Sequence, residues 1–289
     1  MTLRHGVGQV LRWTLPPRVY RSIEMNRGRR TAVQWLRSQG VLDLAVKVAE
    51  RFDYKVQAGP FQGMHYTKDA VLTRHSTPAL LGCYESQLYP CLMEAVRRAE
   101  TIIDIGCAEG YFAVGLARLT GRPVRAFDAD PNERKVVSDM AALNGVSQLL
   151  TISEWCSPET LIDLVRGKRA LVFCDIDGGE FALFTAEVVQ ALRECDVIIE
   201  LHGSTQQNDE FVHRFGGRAM TLVDHPKEAA GADQLAFLGE DAERMATEYR
   251  DPQQWLVMAS EAISSLEGLA ASIAHPVLPP VPDSEPVQR

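Results

Sequence analysis

The pattern of apolar and polar positions changes at residue 101. Before it, hydrophobic residues follow a helical spacing; after it, short apolar runs alternate with amphipathic stretches. The runs at 101–105, 124–127, 149–152, 170–174, 197–201, 219–223 and 235–238 predict strands, with helical patterns between most of them. Near-continuous apolar strands separated by helices imply a largely parallel sheet covered on both faces. Three helix starts are legible. Asp130-Pro131, Ser157-Pro158 and Asp251-Pro252 each set a side-chain acceptor at the N-cap and proline at the first helical position. The link after the sixth strand, DHPKEAAGADQ, holds no helix-length pattern, so the last two strands are expected to pair antiparallel. A final amphipathic helix is predicted over about 252–272.

Upstream, the first 60 residues predict helices interrupted at Pro16-Pro17 and Gly28. The stretch QAGPFQGMHY (57–66) reads as turns with a short hairpin, and the run 77–100 takes helical spacing from Tyr84 onward. The chain therefore divides into a mainly helical N-terminal extension (1–76), an α/β domain (77–274) and a proline-rich tail expected to be disordered (275–289). There is no internal repeat.

Composition adds location and charge. The chain has 289 residues, of which 46% are hydrophobic and 24% charged, enough for a substantial globular core. No apolar run approaches the roughly 20 residues of a membrane-spanning helix. The N-terminus lacks the apolar core and small-residue cleavage site of a secretory signal. Cys83, Cys91, Cys107, Cys156, Cys174 and Cys195 are scattered without a CxxC pair, which fits reduced packing thiols and a cytoplasmic location. The net charge of −8 is uneven. Up to Gly40 the only acid is Glu24, against Arg4, Arg12, Arg18, Arg21, Arg27, Arg29, Arg30 and Arg37. That arm either meets an anionic partner, such as a peripheral membrane surface, or forms a solvated face packed on the acidic body.

The chemistry starts in TIIDIGCAEGYFAVGLARLTGRPVRAFDADP (101–131). A strand ending in Asp104 leads through Gly106 and Gly110 to a helix near Tyr111, whose N-terminus offers unpaired N–H groups and positive dipole. The next strand ends in Asp128, placed to accept from two ribose hydroxyls. Together these describe a nucleoside-bearing cofactor at the carboxyl edge of a doubly wound sheet. A dinucleotide site would want G-x-G-x-x-G, whereas here Glu109 stands where phosphate charge must go. The D-x-G-x-x-x-G pattern of Asp104, Gly106 and Gly110 resembles the first motif of class I S-adenosylmethionine-dependent methyltransferases. The resemblance implies a Rossmann-like, seven-stranded, mostly parallel sheet whose last strand is antiparallel, with S-adenosylmethionine as cofactor. It places Asp104, Gly106, Cys107, Ala108, Glu109, Gly110 and Tyr111 around the cofactor's methionine part. Asp128 and Ala129 then lie beside the ribose, with Glu85 reaching in from the preceding helix. Glu85 has an alternative use, capping or pairing with Arg97 or Arg98. Asp130 reads better as a helix N-cap, and Asn144, before Gly145, as a helix C-cap.

A second acidic stretch follows. In LVFCDIDGGEF (171–181), Asp175, Asp177 and Glu180 crowd the mouth of a buried strand. DIDGGE resembles the D-[VI]-E-G-x-E motif of FkbM-type methyltransferases, with Asp177 where glutamate is usual. DVIIELHG (196–203), SPETLIDLV (157–165) and LLGCYE (80–85) resemble further segments of that family, so the likeness covers about residues 80–203. In this sheet order Asp175, Asp177, Glu200 and His202 would gather at the methyl acceptor. His202 beside Glu200 has the pKa of a general base near neutral pH, and Asp175 could serve instead. Asp175 and Asp177 could alternatively hold Mg²⁺ beside the acceptor's oxygens. Glu180 either complements the N-terminus of a helix running through FALFTAEVVQALREC or takes part in the site.

The expected function is O-methylation of a hydroxyl on a small molecule, a sugar or secondary metabolite. Nucleic-acid methylation is the alternative enzyme reading, although the asparagine-proline-proline-aromatic signature of base methylation is absent where DIDG stands. A non-catalytic cofactor-binding scaffold docking through the basic arm is the third.

Overall fold

A computed structural model describes residues 34–73, 75–216, 220–224, 231–247 and 254–260. The arm up to residue 33, the Asp251-Pro252 helix start and the tail lie outside the described residues.

The first described elements are α1 (Val41–Arg51), α2 (Ser76–Leu81) and α3 (Tyr89–Arg98). The sheet domain then runs β1 (Thr101–Ile105), α4 (Tyr111–Thr120), β2 (Val124–Phe127), α5 (Pro131–Leu143), β3 (Leu150–Ser153) and α6 (Pro158–Val165). It continues with β4 (Ala170–Cys174), α7 (Glu180–Leu183), α8 (Ala186–Ala191), β5 (Asp196–Leu201), α9 (Thr205–His213) and β6 (Met220–Asp224). A 3-10 segment (Ala232–Asp241), α10 (Ala242–Ala246) and β7 (Gln254–Met258) close it.

The strand order is β3-β2-β1-β4-β5-β7-β6. All pairings from β3 to β5 are parallel, and β7 runs antiparallel to both β5 and β6. Successive strand residues face opposite layers, as pleating requires. Ile102, Leu171, Phe173, Ile198 and Val257 belong to one buried cluster, which also takes in Val41, Ala45 and Val48 of α1. Ile103, Val172, Cys174, Val197, Ile199 and Leu256 belong to the other. The two N-caps read from Asp-Pro and Ser-Pro are realised: Asp130 accepts from Asn132 N–H and Ser157 from Thr160 N–H.

Two expectations fail near the C-terminal end. Residues 235–238 are not a strand but lie in the 3-10 segment, and the last strand is 254–258, where a helix was expected. Gly231, at φ 78, starts that 3-10 segment, and only Leu235 within it is buried. QWLVM offers a better strand: Trp255, Leu256, Val257 and Met258 are all buried between β5 and β6. The antiparallel closure and its strand near 219–223 are present; only the partner strand lies elsewhere. The helix expected through FALFTAEVVQALREC is split, because Thr185 accepts from Val188 N–H and starts α8 afresh.

Residues 57–66 fold back as expected, with an antiparallel bridge between Lys55 and His65. Asn144, the C-cap of α5, anchors this segment. Its Oδ1 accepts from His65 N–H, and its Nδ2 donates to the carbonyls of His65 and Met140, each at 2.8 Å. Phe61 then presses on α4 at Gly115, where an added Cβ would lie 2.6 Å from the Phe61 ring. Gly115→Ala gains about 1 kcal/mol of helix propensity. Overpacking against a ring held by Tyr111 and Phe112 costs about 1–3 kcal/mol. The expected result is a lower urea midpoint; an unchanged one would show that Phe61 yields.

Candidate active site

The carboxyl ends of β1 and β2 form one half of the site. Asp104, at the buried end of β1, is 2% exposed, and its Oδ2 has no hydrogen-bond partner among the described residues. Burial, then the Asp128 and Asp175 charges, push its carboxyl up to about 8. The following loop passes through left-handed conformations at Gly106 (φ 89), Ala108 (φ 45) and Gly110 (φ 96), of which only the glycines adopt them without strain. Gly106 and Cys107 N–H groups both donate to the Phe127 carbonyl, tying the loop to β2. Asp128 braces it further: its Oδ2 accepts from Ala108 N–H at 3.0 Å and its Oδ1 from Asp130 N–H at 2.8 Å. Burial outweighs these bonds and lifts Asp128 to about 6.

The other expected cofactor residues divide. Glu109 is buried, and burial with the nearby Glu133 raises it to about 8. Cys107 is a buried thiol held well above its usual value by burial, hence a packing group. Tyr111 begins α4 with its hydroxyl 2.7 Å from that of Tyr89, so its ring serves as wall. The Ala129 carbonyl accepts from Arg134. Glu85 is fully buried and accepts from Gln87, while Arg97 and Arg98 pair with Glu94. Arg98 is committed to buried Asp196 through two hydrogen bonds. Tyr66 went unrecognised in the sequence. Its buried hydroxyl, raised by burial and by the Glu109 and Tyr111 charges, has no hydrogen-bond partner among the described residues.

Gly106 does more than turn the chain. A Cβ there would lie 1.7 Å from the Asp175 carbonyl oxygen, and Asp175 N–H donates to the Ile105 carbonyl at 2.9 Å. That space is taken by β4's exit, which brings the second half of the site alongside.

There the chain gathers Asp175, Glu180, Glu200 and His202. His202 Nδ1 is 3.0 Å from Glu180 Oε1, and the same oxygen accepts from Ile176 N–H. His202 Nε2 lies 3.5 Å from both Asp175 Oδ1 and Glu200 Oε2. Burial disfavours a charged imidazole, but the Glu180 hydrogen bond and the Asp175, Glu180 and Asp177 charges outweigh it and raise His202 above its ordinary value. Asp175 is also raised, chiefly by burial, although a hydrogen bond with Glu200 works against that. Glu180, read as helix electrostatics or function, is a fully buried partner of the histidine. Asp177 moves the other way. Its side chain is 94% exposed, its φ is 50, and it stands 3.8 Å from Nε2 at the rim. Asp175, read with Asp177 as a candidate metal pair, has one carboxylate oxygen, a Glu200 oxygen and a His202 ring nitrogen all within 4.8 Å of one another.

No protein-family model matches the chain. The ribosomal protein L11 methyltransferase of Geotalea uraniireducens is 26% identical over 130 residues, 45% of this chain and 39% of the relative. That of Bacillus pumilus is 25% identical over 99 residues, 34% and 30% of the two chains. The chain spans less than half the length of these relatives. With the strand order above, the architecture is settled. This is the class I methyltransferase fold. Among solved structures, the O-methyltransferase TomG of Streptomyces achromogenes, in complex with S-adenosylmethionine, is 16% identical. It covers 76% of this chain and 90% of its own, with a TM-score of 0.41. The precorrin-6y C5,15-methyltransferase of Geobacter metallireducens is 16% identical over 62% and 89%, also at 0.41. At that identity and score they decide nothing about acceptor or chemistry. No described helix is long and apolar enough to cross a membrane.

The raised carboxyls set a pH dependence for the cofactor-free methyltransferase fold. Asp104, Glu109 and Asp128 hold protons in the folded state that unfolded carboxyls release near pH 4. The folded state binds more protons, so stability falls as pH rises from about 4 through about 8. Thermal unfolding should show a falling midpoint over that window. Glu109→Gln should flatten the loss between about pH 4.5 and about pH 8, and an identical profile would return Glu109 to its ordinary value.

Proposed function

We propose that the protein is an S-adenosylmethionine-dependent methyltransferase that methylates a hydroxyl of a small molecule. The observation that carries this reading is the contact between Gly106 and Asp175, which sets the cofactor loop beside a histidine–carboxylate group. The chain's residues fit the cofactor. Asp104 offers a buried open acceptor oxygen, Glu109 a second carboxyl, and Asp128 retains a lone pair on each oxygen for ribose hydroxyls. That cofactor, when bound, supplies a sulfonium methyl group; the acceptor oxygen gains the methyl, sulfur keeps the bond's electron pair, and the hydroxyl proton must leave. Asp175, Glu200 and His202 form the group that assists that departure, and Glu180 orients the imidazole. The motifs DIDGGE and ELHG support an FkbM-type assignment within the fold.

A protein acceptor is the second reading, favoured by the ribosomal protein L11 methyltransferases that the chain resembles. The acid-base group at β4 and β5 favours a hydroxyl, which must lose a proton.

Calorimetry should show binding of S-adenosylmethionine and none of NAD; no binding of the former overturns the reading. Asp128→Asn should weaken that binding about 10- to 100-fold, since it removes hydrogen bonds to a charged acceptor worth about 1.5–3 kcal/mol. His202→Ala should leave cofactor affinity unchanged and abolish transfer of labelled methyl groups into a panel of hydroxylated metabolites. Transfer retained in that variant would make His202 a structural residue, and transfer into protein only would select the second reading.

A further inference from the structure

His202 is oriented as metal-bound histidines are. Such histidines almost always give one ring N–H to a carboxylate, leaving the other nitrogen as a lone pair toward the ion. Glu180 takes that role at Nδ1 from a fully buried position. The other nitrogen, Nε2, then faces Asp175 Oδ1 and Glu200 Oε2 at 3.5 Å and Asp177 Oδ1 at 3.8 Å. These separations exceed an ordinary hydrogen bond, about 3.2 Å at most. They are near those of neighbouring ligands on one ion, about 3.0–3.6 Å apart when the bonds are about 2.0–2.2 Å.

Charge gives an independent reason. Among the described residues, Asp175, Asp177 and Glu180 pair ionically only with His202, so one imidazole faces several carboxylates. Glu180 Oε2 is buried with no hydrogen-bond partner among the described residues. One added cation would offset that excess negative charge.

We propose that Asp175, Glu200 and His202 bind a divalent metal ion, with Glu180 holding the histidine in place. One imidazole nitrogen with two carboxylates suits Mn²⁺ or Zn²⁺ better than Mg²⁺, which prefers oxygen ligands and retained water. Asp177 stands beside the site as an exposed acid and is not a ligand. If the methyltransferase reading holds, on which this consequence rests, the ion coordinates the acceptor hydroxyl and eases loss of its proton.

The test uses the chelator-treated full-length protein without cofactor or acceptor, titrated with MnCl₂ and followed by the spin-resonance signal of free Mn²⁺. One ion per chain is expected. Glu200→Gln and His202→Ala should each weaken binding at least about tenfold, and Asp177→Asn less than about threefold. Circular dichroism checks the fold, and the affinity for S-adenosylmethionine is measured separately. Should His202→Ala fail to fold, Glu200→Gln reads the same loss. The proposal is overturned if the wild type shows no saturable binding of Mn²⁺ or Zn²⁺, or if Glu200→Gln binds as tightly as wild type. Metal failure with cofactor binding intact removes the ion and leaves the methyltransferase reading standing; cofactor failure with one-to-one metal binding does the reverse.

Discussion

Asp175 meets the cofactor loop twice: its N–H donates to the Ile105 carbonyl, and its own carbonyl fills the space that a side chain at Gly106 would need. The rest of the site depends on that contact. β1 and β4 are neighbours in the sheet, so their exits lie side by side. Closing them to backbone contact requires a residue with no Cβ and a positive φ. Any other residue at 106 would push the two halves apart, even with every functional side chain unchanged.

The same edge concentrates negative charge. Asp104, Glu109, Glu180 and Glu200 are buried, with Asp128 partly so, and the protein keeps several of them protonated or hydrogen-bonded. Burying carboxyls in this way is costly. The stabilisation comes from beneath, where Phe112, Phe173 and Trp255 stack at centroid distances of 4.3 and 5.0 Å across α4, β4 and β7. Function and core therefore share one strand: β4 buries Phe173 and, two residues on, delivers Asp175.

The N-terminal segment belongs to the same structure. Asn144 grips His65, Phe61 packs against α4, and Tyr66 lies buried near Glu109. Residues far upstream of the glycine loop thereby pack beside it. The sequence carried no signal for Tyr66, because its place depends on a contact spanning 79 residues at the neighbouring His65.

Periodicity and local chemistry determined much by themselves. Strands β1, β2 and β4 were legible to the residue, the Asp130 and Ser157 caps were fixed by their prolines, and the strand-loop-helix-strand order from Asp104 to Asp128 was read as it stands. These features rest on interactions within a few residues. The tertiary structure decided the rest. It made QWLVM rather than 235–238 the last strand, because a slot between β5 and β6 buries four consecutive apolar residues regardless of local propensity. It sent Asp177 to the rim and brought Glu180 under His202, because one left-handed turn reverses which acid faces inward. Burial and strand pairing are set by distant parts of the chain, and no local pattern encodes them.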